Sequence, residues 1–212
     1  MKYSCSRFAT LPLLAAAAGL TFASTATAGG IPVELYGVNN LSPATNEIFT
    51  AQSDAPCPVT VIGETGVPDA GFGGLDFDGA GNLWAYVSFG ATSGLYSIDL
   101  GTGAATPQGA LDGSPLQDLA YNPTDQLLYG IEGTQLFTVD TGSGVVNFAA
   151  DLVGLDAGAL PVGLGVTSGG ELVVHDIAAD VIYRGAPGAL APFIPLPDDT
   201  NFSQGLFVDW SR

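Results

Sequence analysis

Basic residues are almost absent from this chain. Its 212 residues include 4 Lys and Arg, 21 Asp and Glu and a single His, which gives a net charge of −17. So acidic a molecule repels nucleic acid and anionic membrane surfaces, and we expect no nucleic-acid partner. Lysine occurs only at Lys2, so a P-loop and Schiff-base chemistry are excluded from the rest of the chain. One histidine, His175, also excludes a His-rich metal site.

Long apolar runs are absent after residue 28, so no later segment is expected to span a membrane. Before it, Lys2 and Arg7 precede an apolar run at residues 8–20, and Ala-Thr-Ala ends at Ala28. This pattern predicts a secretory signal peptide at residues 1–28, cleaved after Ala28. We therefore expect a secreted or periplasmic protein with a single domain at 29–212. An uncleaved membrane anchor is the alternative.

Cysteine is also scarce, since only Cys5 and Cys57 occur. Cleavage would remove Cys5 and leave Cys57 without a partner in its own chain. We expect a buried thiol and a monomer, with an intermolecular disulfide and a dimer as the alternative. Cleavage would also remove Lys2 and Arg7, leaving two basic residues against 21 acidic ones, a net charge of −19. That charge favours cations and positive partners, although Asp residues that only form turns and aid solubility would explain most of it.

A four-strand unit repeats along the chain. The segment at 74–109 contains four short runs rich in β-branched and aromatic residues, separated by turns rich in Gly, Asp and Asn. Its first run, Gly-Leu-Asp-Phe-Asp at 74–78, is repeated at 118–122, 163–167 and 205–209, at spacings of 44, 45 and 42 residues. A period of this size is typical of stacked or radial repeats.

The fourth unit is divided between the two ends of the chain. Residues 205–212 supply only its first strand, and the three other strands are matched within residues 33–63. Pairing these two segments in one sheet would close a ring and remove an open sheet edge. We therefore predict an all-β, four-bladed β-propeller of four antiparallel strands per blade. Its blades lie at about 74–109, 118–150, 163–196, and 205–212 with 33–63. An eight-bladed ring of two chains and a β-sandwich are the alternatives.

The segments at 74–78, 95–103 and 136–142 resemble the repeats of bacterial secreted β-propeller proteins, of the form GLAFDxxGxLYAV…LYxIDxxTG. The resemblance covers nearly all of the chain after residue 28. It is weakest in the third unit, where Arg184-Gly185-Ala186-Pro187 replaces the Asp and Thr-Gly. It implies a fold and no activity, because propellers carry many unrelated functions.

Side-chain oxygens occur at one repeated position, the end of the first strand of each unit. They belong to Asp78, Asn122, Thr167 and Asp209. In a closed ring these residues would approach one another at one mouth of the channel, where oxygen ligands suit Ca²⁺. Ordinary turn hydrogen bonds are the alternative. No other cofactor is expected.

No catalytic group stands out, and we expect a binding or interaction module that is not an enzyme, with a protein or glycan at the cell exterior as partner. No Gly-x-Ser-x-Gly motif occurs to activate a serine. The alternative is a propeller hydrolase that uses carboxylates or a channel cation. Its candidate residues are Asp76, Asp78 and Asp209. Asp76 and Asp78 are also suited to turn capping and to hydrogen bonds between blades.

Overall fold

The chain forms four antiparallel sheets, each of four strands that follow one another in chain order. The computed structural model describes residues 20–24, 34–39, 46–52, 59–68, 70–109, 111 and 113–196. These residues contain sixteen strands and no helix, and so no helix that could cross a membrane. The fold prediction is confirmed: the four sheets are the blades of a β-propeller.

The strand bounds are close to those predicted from the repeat. The N-terminal blade consists of β1 Leu20–Ser24, β2 Glu34–Asn39, β3 Glu47–Gln52 and β4 Thr60–Glu64. Blade 1 consists of β5 Gly71–Phe77, β6 Leu83–Phe89, β7 Gly94–Ile98 and β8 Ala105–Pro107. Blade 2 consists of β9 Asp118–Asn122, β10 Leu127–Glu132, β11 Gln135–Val139 and β12 Val146–Asp151. Blade 3 consists of β13 Pro161–Val166, β14 Leu172–Asp176, β15 Val181–Ala186 and β16 Ala189–Pro195.

The first strand of each blade is the inner one, and neighbouring inner strands pack directly on each other. β5 packs against β1 and β9, and β9 packs against β13. The approach is close enough to require glycine, because a Cβ at Gly74 would lie 2.1 Å from the Leu119 backbone nitrogen. Apolar clusters also fill the interfaces between the blades. Leu75 and Val87 pack with Val38 of the N-terminal blade, and Ile131 of blade 2 packs with Val174 of blade 3.

Asp99 and Asp140 cap one kind of turn between the third and fourth strands, each with the hydroxyl residue three positions later. In blade 1, Asp99 Oδ1 accepts hydrogen bonds from the Thr102 amide at 2.8 Å and from the Thr102 hydroxyl at 2.8 Å. Asp140 does the same with the amide and hydroxyl of Ser143 in blade 2. Blade 3 lacks this turn because β15 and β16 are joined by only two residues, Pro187 and Gly188. A hairpin that short has no place for an Asp-x-x-Thr turn.

The inner strand of the N-terminal blade differs from our expectation. We assigned this position to residues 205–209 and placed residues 1–28 outside the fold. The structure instead pairs β1, within the predicted leader, antiparallel to β2, with Phe22 opposite Gly37. The leader sequence Leu-Thr-Phe-Ala-Ser is short, apolar and rich enough in strand-forming residues to occupy this edge. Residues 205–212 lie outside the described residues, as does Cys57.

Candidate functional site

Asp78 follows β5 and caps the turn that leads to β6. Its Oδ1 accepts hydrogen bonds from the amides of Ala80 and Asn82, both at 2.9 Å. Its Oδ2 accepts from Asn82 Nδ2 at 2.8 Å and from the indole Nε1 of Trp84 at 2.9 Å. Partial burial raises the pKa of Asp78, but these hydrogen bonds outweigh the burial and leave the pKa below its ordinary value. Asp78 therefore carries a negative charge at neutral pH, held at a fixed position.

Asn122 and Thr167 occupy the matching turns of blades 2 and 3. Asn122 Oδ1 accepts from the amide and hydroxyl of Thr124 at 2.9 and 2.8 Å, and Thr167 Oγ1 accepts from the Glu171 amide at 3.1 Å. Successive turns touch, because a Cβ added at Gly170 would lie 2.6 Å from Thr124 Oγ1 and 3.4 Å from Asn122 Oδ1. We call this end of the channel the turn mouth. Asp209, the fourth predicted residue, lies outside the described part of the chain.

The turn role of these three side chains is confirmed, and the calcium site remains a prediction. In the described ranges, no group of three or more His, Cys, Asp or Glu side chains is arranged to hold a metal ion. The oxygens of Asp78, Asn122 and Thr167 are engaged within their own turns, so a cation would have to share them.

A cleft opens at the turn mouth between blades 1 and 2. It is a half-open depression of about 350 Å³ with a mainly polar lining. Blade 1 contributes the Asp78 turn to its wall, and blade 2 contributes polar and aromatic side chains. The lining residues are Asp78, Gly79, Ala80, Tyr121, Gln126, Leu128 and Thr141. The cleft thus combines one fixed carboxylate with an aromatic ring, an amide and a hydroxyl. We call it the blade 1–2 cleft.

Two further carboxylates join the inner strands of neighbouring blades. Asp76 Oδ1 accepts from the Phe77 amide at 2.8 Å, and its Oδ2 accepts from the Tyr121 amide of blade 2 at 2.7 Å. Asp118 repeats the arrangement one blade farther on. It accepts from the Leu119 amide at 2.9 Å and from the Leu164 amide of blade 3 at 2.7 Å. Each carboxylate thus satisfies one amide of its own strand and one of the next blade.

Asp76 and Asp118 differ in exposure. Asp118 is 1% exposed, whereas Asp76 is partly exposed. Desolvation by burial raises the pKa of Asp76 to about 7, although the hydrogen bonds from Tyr121 and Phe77 lower it. Asp76 therefore changes its protonation state near neutral pH. The interblade hydrogen bond expected of Asp76 is confirmed, and the different partners of Asp76 and Asp78 show that they do not act as one carboxylate pair.

Two buried ionisable side chains lie at the end of β14, away from the turn mouth. Asp176 is 0% exposed, and its Oδ1 accepts from the amides of Leu160 and Ala178 at 2.8 and 2.9 Å. The other oxygen, Oδ2, has no hydrogen-bond partner among the described residues. His175 is buried beside it, and burial lowers its pKa, opposed by the charges of Asp176 and Asp180. A neutral, buried histidine fits a structural role better than a catalytic one.

Sequence reasoning did not identify the interblade role of Asp118 or the blade 1–2 cleft. An ionisable residue in an otherwise apolar inner strand was the available signal for Asp118. The cleft had no such signal, because Thr141 and Gln126 come from different turns and meet Asp78 only when two blades pack together.

Comparisons with known proteins support the fold. No family model matches the chain, and no curated protein matches it. Among solved structures, it is similar to a calcium-binding regucalcin from Agrobacterium tumefaciens, with 13% identity and a TM-score of 0.55, over 92% of this chain and 80% of that one. A gluconolactonase from Xanthomonas campestris matches with 16% identity and a TM-score of 0.53, over 78% of this chain. At these identities the likeness extends to the fold alone.

An auxiliary nutrient binding protein from Bacteroides ovatus also matches, with 16% identity, a TM-score of 0.53 and 79% of this chain covered. The chain spans 40% of the length of that protein and 60% of the gluconolactonase. The β-propeller part of the resemblance stated above is thereby confirmed. Membership of the secreted repeat proteins remains a prediction.

One sequence-based expectation is overturned by these neighbours. We expected a protein that is not an enzyme, because no catalytic motif occurs in the chain. The gluconolactonase shows that this architecture carries out catalysis. Propeller enzymes need no short sequence motif when their reacting groups come from separate blades, so the missing motif is not evidence against activity.

Protonation of Asp76 should make stability depend on pH. Because its pKa is about 7 in the folded protein and 3.8 ordinarily, the native state holds more protons than the unfolded state between these values. The stability that the protonated Asp76 contributes is complete below about pH 4 and is lost as the pH rises through 7. Relative to Asp76→Asn, the wild type should therefore lose roughly 1–4 kcal/mol of unfolding free energy between pH 4 and 8.

Chemical unfolding across this pH range measures the difference. Asp99→Asn is the matched control, because Asp99 is exposed and hydrogen bonds from Thr102 hold its pKa below the ordinary value. The difference in unfolding free energy between Asp99→Asn and the wild type should stay constant above pH 5. If the difference in unfolding free energy between the wild type and Asp76→Asn is also constant over this pH range, the raised pKa assigned to Asp76 is contradicted.

Proposed function

We propose that this protein is a secreted binding protein whose blade 1–2 cleft recognises a positively charged ligand. The observation that carries the proposal is the cleft itself, in which the ionised Asp78 lies beside Tyr121 and Gln126. A carboxylate held by four hydrogen bonds needs little further ordering when a cation binds, which favours affinity. Tyr121, which is 8% exposed, forms part of the cleft wall beside this carboxylate.

The charge of the whole chain supports the same ligand class. With 21 acidic residues and 4 basic ones, the molecule attracts cations and repels anions over its surface. Among the described residues, Arg184 is the only basic side chain, and it is paired with Glu171 on the third blade. Anionic ligands therefore have no unpaired Lys or Arg side chain to bind in the described part of the chain.

Blocking the cleft should abolish binding. Ala80 is exposed at the cleft wall, so Ala80→Trp should fill the space without disturbing the core. The control, Ser168→Trp, places the same side chain in the corresponding turn of blade 3, away from the cleft. Spermidine, CaCl₂ and a neutral oligosaccharide are suitable probes, each titrated by calorimetry at low and at high NaCl.

We expect a cationic probe to bind wild type and Ser168→Trp equally and Ala80→Trp at least about tenfold more weakly. Binding should persist at high salt, because a site-bound cation is screened less than a diffuse one. Equal binding to all three proteins would place the ligand elsewhere. Binding of the oligosaccharide alone would contradict the charge-based part of the proposal.

Catalysis by Asp76 is the second candidate function. Asp76 is partly exposed as a residue, and desolvation of its carboxyl group raises the pKa to about 7, so it can accept or donate a proton near neutral pH. A sugar, lactone and ester panel assayed with the protein lacking residues 1–28 tests this role. Asp118→Asn is the control, because Asp118 makes the same two types of amide contact but is buried.

If Asp76 acts as a base, any turnover found should rise with pH through about 7 and fall about 100-fold or more in Asp76→Asn. Asp118→Asn should lose activity only in proportion to its folded fraction. Undiminished turnover in Asp76→Asn, or no turnover by the wild type on the whole panel, would count against the catalytic candidate.

A further inference from the structure

We propose that the buried carboxylate of Asp176 binds a monovalent cation, such as Na⁺, K⁺ or NH₄⁺, at a site separate from the blade 1–2 cleft. Asp176 ends β14, opposite Pro161, whereas Leu172 begins this strand directly after the turn that Thr167 caps. The length of β14 places Asp176 roughly 13 Å from that turn. The site and the turn mouth therefore lie at opposite ends of blade 3.

One oxygen of Asp176 has no donor in a place that is closed to bulk water. The residue is 0% exposed. Its Oδ1 accepts hydrogen bonds from the amides of Leu160 and Ala178, at 2.8 and 2.9 Å, but its Oδ2 accepts none from the described residues. Burying a charged oxygen is costly unless it is hydrogen-bonded, paired with an opposite charge or bound to a metal ion. The Oδ2 atom therefore points to a bound ligand.

Asp118 shows how this fold buries a carboxylate that needs no ligand. It is 1% exposed, its Oδ1 accepts from the Leu119 amide, and its Oδ2 accepts from the Leu164 amide of the next blade. Each of its oxygens thus has an amide donor. Asp176 also receives two amide hydrogen bonds, but both go to Oδ1. The unpartnered oxygen is therefore specific to Asp176 and is not a general cost of the inner strands.

No basic side chain among the described residues neutralises Asp176. Arg184, the only Lys or Arg in this part of the chain, lies opposite Val173 and pairs with Glu171, toward the turn mouth. His175 is adjacent to Asp176 and buried. Burial lowers the pKa of His175, opposed by the charges of Asp176 and Asp180, so the imidazole is neutral near pH 7. A compensating positive charge would therefore come from a bound ion.

Tyr183 supplies a second oxygen at this end of blade 3. It is 0% exposed, and its hydroxyl accepts a hydrogen bond from the Asp156 amide at 3.4 Å. Burial raises the pKa of Tyr183, and so do the hydrogen bond with the Asp156 side chain and the charges of Asp156 and Asp176. The connection at 152–160 covers both side chains, because Asp156 contacts Tyr183 and Leu160 contacts Asp176. A cation here would meet carboxylate and hydroxyl oxygens beneath this connection.

The ligand set favours a monovalent over a divalent ion. Within the described ranges, no three His, Cys, Asp or Glu side chains are arranged to hold a metal ion. Ca²⁺ sites usually combine several carboxylates with neutral oxygens. One buried carboxylate with neutral oxygens instead balances a single positive charge. Asp156, the other acid beside Tyr183, is exposed, so water can solvate its charge.

Salt-specific thermal unfolding of the full chain tests the site. Melting temperatures are compared in the chlorides of Na⁺, K⁺, NH₄⁺ and N-methylglucamine at equal ionic strength, so that general screening is the same. N-methylglucamine is too large for a buried site and is the reference. At least one small cation should raise the melting temperature of the wild type by more than about 3 °C, because it binds the native state only. Equal melting in all four salts would overturn the proposal.

Asp176→Asn removes the charge while keeping the size of the side chain. Its melting temperature should be the same in all four salts to within about 1 °C. Asp118→Asn is the matched control, because it neutralises a buried carboxylate whose two oxygens both have amide donors. This control should keep the wild-type difference between salts even if it melts at a lower temperature. A difference that persists in Asp176→Asn would place the cation elsewhere and overturn the assignment.

Further variants separate this site from its alternatives. Ala80→Trp fills the blade 1–2 cleft and should leave the difference between salts unchanged, whereas its loss in this variant would assign the cation to the cleft. Tyr183→Phe should reduce the difference at least about twofold, and it provides the test if Asp176→Asn does not fold. An undiminished difference in Tyr183→Phe would contradict the ligand set. A larger gain in CaCl₂ that Asp176→Asn removes would contradict the assignment to a monovalent ion.

Discussion

The inner strands of this propeller depend on carboxylates that bind backbone amides. An inner strand pairs with a neighbour in its own sheet on one side only, so its other edge carries N–H groups that burial would leave unsatisfied. Asp76 and Asp118 each accept one such hydrogen bond from their own strand and one from the next blade. The same contacts satisfy the edges and hold blades 1, 2 and 3 together at the channel.

This arrangement has an electrostatic consequence. A carboxylate among closely packed inner strands loses hydration, and the loss raises its pKa even while amides donate to it. Asp76 shows the result, with a pKa of about 7. The pKa of Asp78, two residues farther on, is shifted in the opposite direction because four hydrogen bonds, three from its turn and one from Trp84 of β6, stabilise its charge. Two acids that lie two residues apart in one repeat therefore differ in their protonation state near neutral pH.

Much of the fold could be predicted because the repeat places equivalent residues at a regular spacing. The leucine of the inner strands in blades 1 to 3 and the Asp of the turns in blades 1 and 2 mark blade boundaries to within a few residues, as Leu75 and Asp99 illustrate. The inner strand of the N-terminal blade was harder, because two segments of the chain have the composition of a strand and both suit one edge. Local sequence cannot rank two competing partners for the same backbone groups.

The candidate site was predicted less completely than the fold. Turn capping by Asp78 follows from its own neighbours in sequence, whereas the cleft beside it depends on Tyr121 and Thr141 of another blade. Likewise, the partner of Asp118 lies 46 residues away, at Leu164. Contacts of this kind arise from the packing angle and register between blades, for which a single sequence carries no signal.

The most direct test of this account is residue-resolved amide hydrogen exchange, because the Tyr121 and Leu164 amides donate to carboxylates across blade interfaces rather than to a strand of their own sheet. Both amides should exchange as slowly as the paired amides in the centres of the blades, since they open only when neighbouring blades separate. Exchange as fast as in the exposed turn residues, such as Gly142, would contradict it.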